Sequence, residues 1–195
     1  MSNPPSTDWH SARRLLDEGV AASRANDPQR AFVLFAQAEA AAPGWALPHF
    51  VMASEHAAAG DWAKAEAEFA VAVLLDPGMR VARYQLGLLQ FSAGRAAVAQ
   101  ITWQPLAQPP LPDGFGDFVR GFAALALDDF AAARSAFDNG LARADVNPAV
   151  ADDIRQILAN MPATAPTPAQ LVAAEPAPPP LAHVLVANYD RFKLH

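Results

Sequence analysis

The chain has 195 residues, 52% of them hydrophobic, with no cysteine and a formal net charge of -6. That apolar mass supports a compact core without disulfide or thiolate-metal staples, and the acidic balance works against nucleic acid, whose binding needs clustered Lys and Arg to release counterions. The opening MSNPPSTDWHSARR has no basic stretch followed by an apolar one, and no later run approaches the roughly 20 apolar residues of a membrane helix, so a cytoplasmic protein without membrane insertion is expected.

A lead-in over 1–11 precedes a first helical hairpin, whose second helix has Asp27 as cap and Pro28 at its first position, where the missing N–H costs nothing. This unit ends at Pro43. Apolar and small residues then recur at three and four from Ala46 to Ala59, Gly60 offers a left-handed stop, and Asp61 caps a helix from Trp62 to about Leu75 before Pro77 closes the unit. In the third unit Pro105, Pro109, Pro110 and Pro112 fall where the second helix would finish, which predicts a short or kinked helix and a stiff loop before Phe115. Asn147 and Pro148 begin a last helix with a stripe of Val150, Ile154, Ile157 and Leu158 that runs to about Asn160. Residues 162–180 are Pro, Ala and Thr with almost no charge, the composition of a linker. The final segment 181–195, LAHVLVANYDRFKLH, regains an apolar cluster in Val184, Leu185, Val186, Tyr189 and Phe192; strand and helix both fit it, and it is either a small satellite of the core or a docking tail.

Three residue series repeat at an offset of 34 through these units: Gly19, Ala53, Gly87 and Gly121; Ala31, Ala65, Ala99 and Ala133; and Phe35, Phe69, Trp103 and Phe137. A fixed period of this size marks a repeat array. Small residues on both helices of a hairpin let the backbones approach, and the aromatic one turn further on fills the space beside the crossing.

With these series the chain resembles the tetratricopeptide repeat family, whose 34-residue consensus has small residues at its eighth and twenty-seventh places, Ala at the twentieth, an aromatic at the twenty-fourth and Pro near the thirty-second. Repeats at 12–45, 46–79, 80–113 and 114–147 match the eighth, twentieth and twenty-fourth places throughout; the twenty-seventh is Ala38, Ala72 and Gly140, with Leu106 the exception. The resemblance implies an all-α, right-handed solenoid of four helical hairpins, with 148–161 as the capping helix that covers its last face. It also implies a concave surface lined by the first helices. In the first repeat those places hold Arg13, Leu16, Val20 and Ser23; in the later ones they include Leu47, Phe50, Tyr84, Leu88, Phe91, Phe115, Phe118, Phe122 and Leu125, an apolar and aromatic groove. Family members that clamp a C-terminal carboxylate use Lys, Arg and Asn in this groove, and the matching places of repeats two to four have none.

The function expected from this resemblance is a non-catalytic adaptor or chaperone-like scaffold, similar in surface chemistry to the repeat chaperones of bacterial secretion systems, binding an apolar protein segment. The tail, on a linker reaching on the order of 60 Å when extended, could cover the groove until a partner displaces it. The alternative is a permanent structural subunit of a larger bacterial assembly, such as a secretion or polysaccharide-export machine. The alanine-rich composition points to a bacterial source. Tight superhelical curvature would instead bury the groove aromatics against neighbouring helices.

Chemical motifs are sparse. His49 and His56 could share a helix face, but two imidazoles without a third ligand make a poor metal site and fit better as packing between helices. Asp113-Gly-Phe-Gly116 follows no strand and lacks a full phosphate-loop spacing, so it is read as a turn. The pairs Asp128, Asp129 and Asp152, Asp153 are placed at helix starts, where negative charge suits the dipole. No catalytic constellation is legible, so no enzyme, cofactor or metal site is expected.

Overall fold

The computed structural model describes residues 8–108, 114–143 and 146–161. Within them all regular structure is helical: α1 (Trp9–Arg24), α2 (Pro28–Ala41), α3 (Ala46–Ala58), α4 (Trp62–Leu75), α5 (Arg80–Ser92), α6 (Ala96–Trp103), a 3-10 turn (Gln104–Ala107), α7 (Phe115–Leu125), α8 (Phe130–Leu141) and α9 (Pro148–Asn160). The prolines at 109, 110 and 112, the linker 162–180 and the tail 181–195 lie outside the described residues. Two compact units meet in the chain between Ala82 and Arg83, in the first turn of α5. In the first, α1 pairs with α2 and α3 with α4, and α3 also packs on α2 and α1; in the second, α7 pairs with α8, α6 leads through the 3-10 turn to α7, and α9 packs on α8.

The 34-residue period is written into the backbone. Asn26, Gly60, Gly94 and Asp128, at that spacing, all take positive φ, of 60°, 76°, 75° and 57°. Glycine adopts this conformation at no cost and Asn or Asp at little. The residue after each one donates its N–H five residues back, from Asp27 to Ala22, Asp61 to His56, Arg95 to Gln90 and Asp129 to Ala124, at 2.8–3.0 Å. This closes the first helix of each hairpin in the Schellman manner and satisfies a carbonyl that the helix leaves open. Asp27, Asp61 and Asp129 then serve the next helix, their carboxylates accepting from the N–H groups of Arg30, Lys64 and Ala132. Arg95 holds the same place and gives no side-chain cap. The hairpin it starts is the one whose second helix is short: α6 has only 8 residues before Pro105 enters the 3-10 turn.

Packing of the hairpins follows from the small–aromatic series. Ala31, Ala65, Ala99 and Ala133 are fully buried, and Phe35, Phe69, Trp103 and Phe137 nearly or fully so. A Cβ placed on Gly19 would lie 2.5 Å from Phe35 Cε1, and one on Gly87 or Gly121 would overlap the Trp103 or Phe137 ring. The aromatic thus occupies the volume that the missing side chain leaves, which locks the register of one helix on the other. On α9 the stripe divides: Val150 and Ile154 are buried, while Ile157 and Leu158 are half-buried.

Candidate binding surface

The residues expected to line a groove are mostly interior. In the second unit Tyr84, Leu88, Phe115, Phe118 and Phe122 are buried, with Phe91 and Leu125 half-buried at the margin. The rings pack on one another: Tyr84 lies 4.9 Å from Phe115 between centroids, and Phe122 lies 5.1–5.2 Å from Trp103, Phe137 and Phe91. Trp103 also donates its indole N–H to the Tyr84 carbonyl at 2.9 Å. These side chains from α5, α6, α7 and α8 form an aromatic core that mixes stacked, tilted and edge contacts. In the first unit Leu47 and Phe50 of α3 are buried as well, Phe50 lying 5.7 Å from Phe69.

An open cleft of about 750 Å3 lies on the first unit instead, between α1 and Trp45 at the start of α3. Asp8 builds its end by capping α1 through the Ser11 N–H at 3.0 Å and by donating its own N–H to the Ala41 carbonyl at 3.1 Å. The capped first turn presents Trp9, which is 54% exposed and meets Trp45 edge to face at 5.7 Å. Ala12, Leu16, Gly19 and Val20 are the buried side of α1; the cleft runs along its edge, where Trp9, Arg13 and Asp17 follow at intervals of four and Arg14 pairs with Glu18 at 3.7 Å. Its lining sets Trp9, Trp45 and Ala21 beside His10, Arg13, Arg14, Asp17 and Glu18. Such a cleft suits an apolar side chain with an acidic neighbour. Of its lining, only Arg13 belonged to the places expected to face a ligand.

His49 bridges three helices, with Nδ1 2.7 Å from a Glu68 oxygen of α4 and Nε2 3.6 Å from a Glu39 oxygen of α2. His56 instead packs on Phe32 of α2, 4.6 Å between ring centroids. The two imidazoles therefore serve interhelical packing at separate contacts. Among the described residues no group of three or more His, Asp or Glu is placed to hold a metal.

Two acidic residues behave differently from the sequence expectation. Asp129 is a helix cap, but Asp152 and Asp153 lie in the second turn of α9, not at its start. Asp153 is only 7% exposed and its Oδ2 has no hydrogen-bond partner. Burial, aided by the neighbouring Asp152 charge, pushes its carboxyl from 3.8 up to about 7. The hydroxyl of Tyr84, likewise buried and without a partner, is raised well above its ordinary value by burial and then by the Asp153 charge. Asp117 of α7, unremarked in the sequence, is 5% exposed and is held by Arg120 and by Arg143, whose Nε donates at 3.0 Å. The spacing to Arg120 at i+3 is a local signal, but the second partner, Arg143, is 26 residues away and gives none.

Comparison with protein-family models and with curated proteins finds no match to this chain. Among the described residues no helix is long and apolar enough to cross a membrane.

Proposed function

We propose that this chain is a tetratricopeptide-type scaffold that binds, without catalysis, an extended apolar segment of a partner protein. The 34-residue recurrence of the left-handed turn, the Schellman closure and the glycine–aromatic lock supports the repeat assignment. The observation that carries the binding role is the Trp9–Trp45 cleft. It offers the exposed Trp9 ring, the half-buried Trp45 ring and two arginines of α1, and aromatic and Arg side chains are the residues most often found to dominate protein interfaces.

The test is selection of a displayed peptide library on the full-length chain, followed by calorimetric titration of an enriched peptide. Enriched peptides are expected to share an aromatic or large aliphatic residue next to Asp or Glu, and Trp9→Ala is expected to weaken binding by at least about tenfold, the loss of roughly 1.4 kcal/mol. Failure to enrich such peptides, or equal binding by Trp9→Ala and Trp45→Ala, overturns the assignment.

A further inference from the structure

Asp117 stands in the first turn of α7, where negative charge suits the helix dipole, yet it is only 5% exposed. Burying a carboxylate is costly unless charged donors hold its oxygens. A close helix crossing supplies them. A Cβ on Gly140 of α8 would overlap the Phe118 ring and lie 3.2 Å from the Asp117 Cβ, so the missing side chain is what lets α8 approach α7 here. Arg143 follows three residues later, its backbone N–H bonded to the Gly140 carbonyl at 3.2 Å, and its Nε and Nη2 both reach one Asp117 oxygen at 3.0 Å. The other oxygen accepts from Nη2 of Arg120, one turn along α7. The doubly bonded Arg143 alone would neutralise Asp117, so Arg120 brings a surplus positive charge. Each guanidinium keeps N–H donors that Asp117 does not use, and both side chains remain open to water, Arg120 at 55% and Arg143 at 46% exposure.

We propose that Arg120 and Arg143, set side by side on the two oxygens of Asp117, form a binding site for a single carboxylate side chain of a partner protein. Charge balance selects this ligand. Two guanidiniums less one buried carboxylate leave one positive charge, which a carboxylate neutralises, whereas a phosphate dianion would place excess negative charge beside Asp117. The shape agrees, because the N–H fork of a guanidinium matches the two oxygens of a carboxylate. The chain's net charge of -6 repels a run of acids at longer range, so the site fits one isolated Asp or Glu. Asp117 acts here as a positioning residue, holding together two like charges that would separate in water. The inference goes beyond the Trp9–Trp45 assignment: it uses residues of the second unit alone and can hold or fail independently of that cleft.

The test is an NMR titration of the isotope-labelled full-length chain, read at the arginine side-chain Nε–H signals. The probe is a glycine peptide blocked at both ends with one central glutamate, so that a single carboxylate is its only charge; the same peptide with glutamine and inorganic phosphate are run beside it. The Arg120 and Arg143 signals are expected to move together and to saturate with the glutamate peptide in about the millimolar range. Arg120→Gln is expected to weaken this binding by about tenfold or more, while Arg143 still holds Asp117 and the backbone amides of α7 and α8 keep their positions. Signals that never move, or equal movement with the glutamine peptide, overturn the proposal and leave the three side chains as an internal tie only. Binding of phosphate in preference to the peptide overturns the charge argument and the ligand with it. Shifts centred on Arg13 and Arg14, or undiminished binding by Arg120→Gln, place the carboxylate elsewhere and overturn the assignment of the site.

Discussion

Asp153→Asn tests the electrostatics of the second unit most sharply. The folded protein holds this carboxyl at about 7 against 3.8 for the free group, because its oxygen is buried without a partner. A carboxyl raised on folding opposes the native state as it ionises, so the penalty is absent below the unfolded value, grows as pH rises between the two, and is complete above about 7. At about 1.4 kcal/mol for each pH unit separating the values, the ceiling is about 4 kcal/mol. Detachment of α9 from α8 would relieve the charge before that ceiling is reached, leaving roughly 1–3 kcal/mol. The variant should therefore protect the α9 amides from hydrogen exchange about tenfold to a hundredfold better than the native chain near pH 8, and equally near pH 4, at matched conditions. Asp152→Asn, which removes the lesser cause, should give a smaller change of the same sign. A ratio that does not vary with pH would refute the assignment of a strained neutral carboxyl.

Gly87→Ala places a Cβ inside the Trp103 ring and should cost about 1–3 kcal/mol by overpacking, read as a lower urea midpoint. A smaller cost, about 0.5–1 kcal/mol, is expected for Gly60→Ala, which meets no atom within 4 Å and suffers only from the positive φ. Asp129→Ala removes the 2.9 Å cap bond of α8 and should cost about 1 kcal/mol. For Asp117→Ala the loss should be about 1–3 kcal/mol, since the buried carboxylate goes while Arg120 and Arg143 can return to water. Arg143→Ala should cost less, because Arg120 still reaches Asp117.

The hairpins were legible because their causes are local. Asp27, Pro28, Gly60 and Asp61 act within one turn of the chain, and the helix starting at Trp62 ends at Leu75 as the pattern predicts. Pro105 likewise shortens α6, as an interior proline must. The surface was less legible, since exposure is a property of neighbours. Phe118 and Phe122 recur where a concave face is expected, yet they pack on Tyr84, from another helix of the same unit. Trp9 and Trp45, 36 residues apart, carry no shared signal until the capped start of α1 brings their rings together.

By itself the sequence determined the period, the turns and the glycine–aromatic locks, because each depends on backbone conformation or volume at fixed short offsets. Only the tertiary structure decided which apolar faces are interior, that a cleft opens between α1 and Trp45, and that burial pushes the Asp153 carboxyl up to about 7 in the second turn of α9. Desolvation and ring packing depend on residues that distance along the chain does not relate, and those are set only when the helices meet.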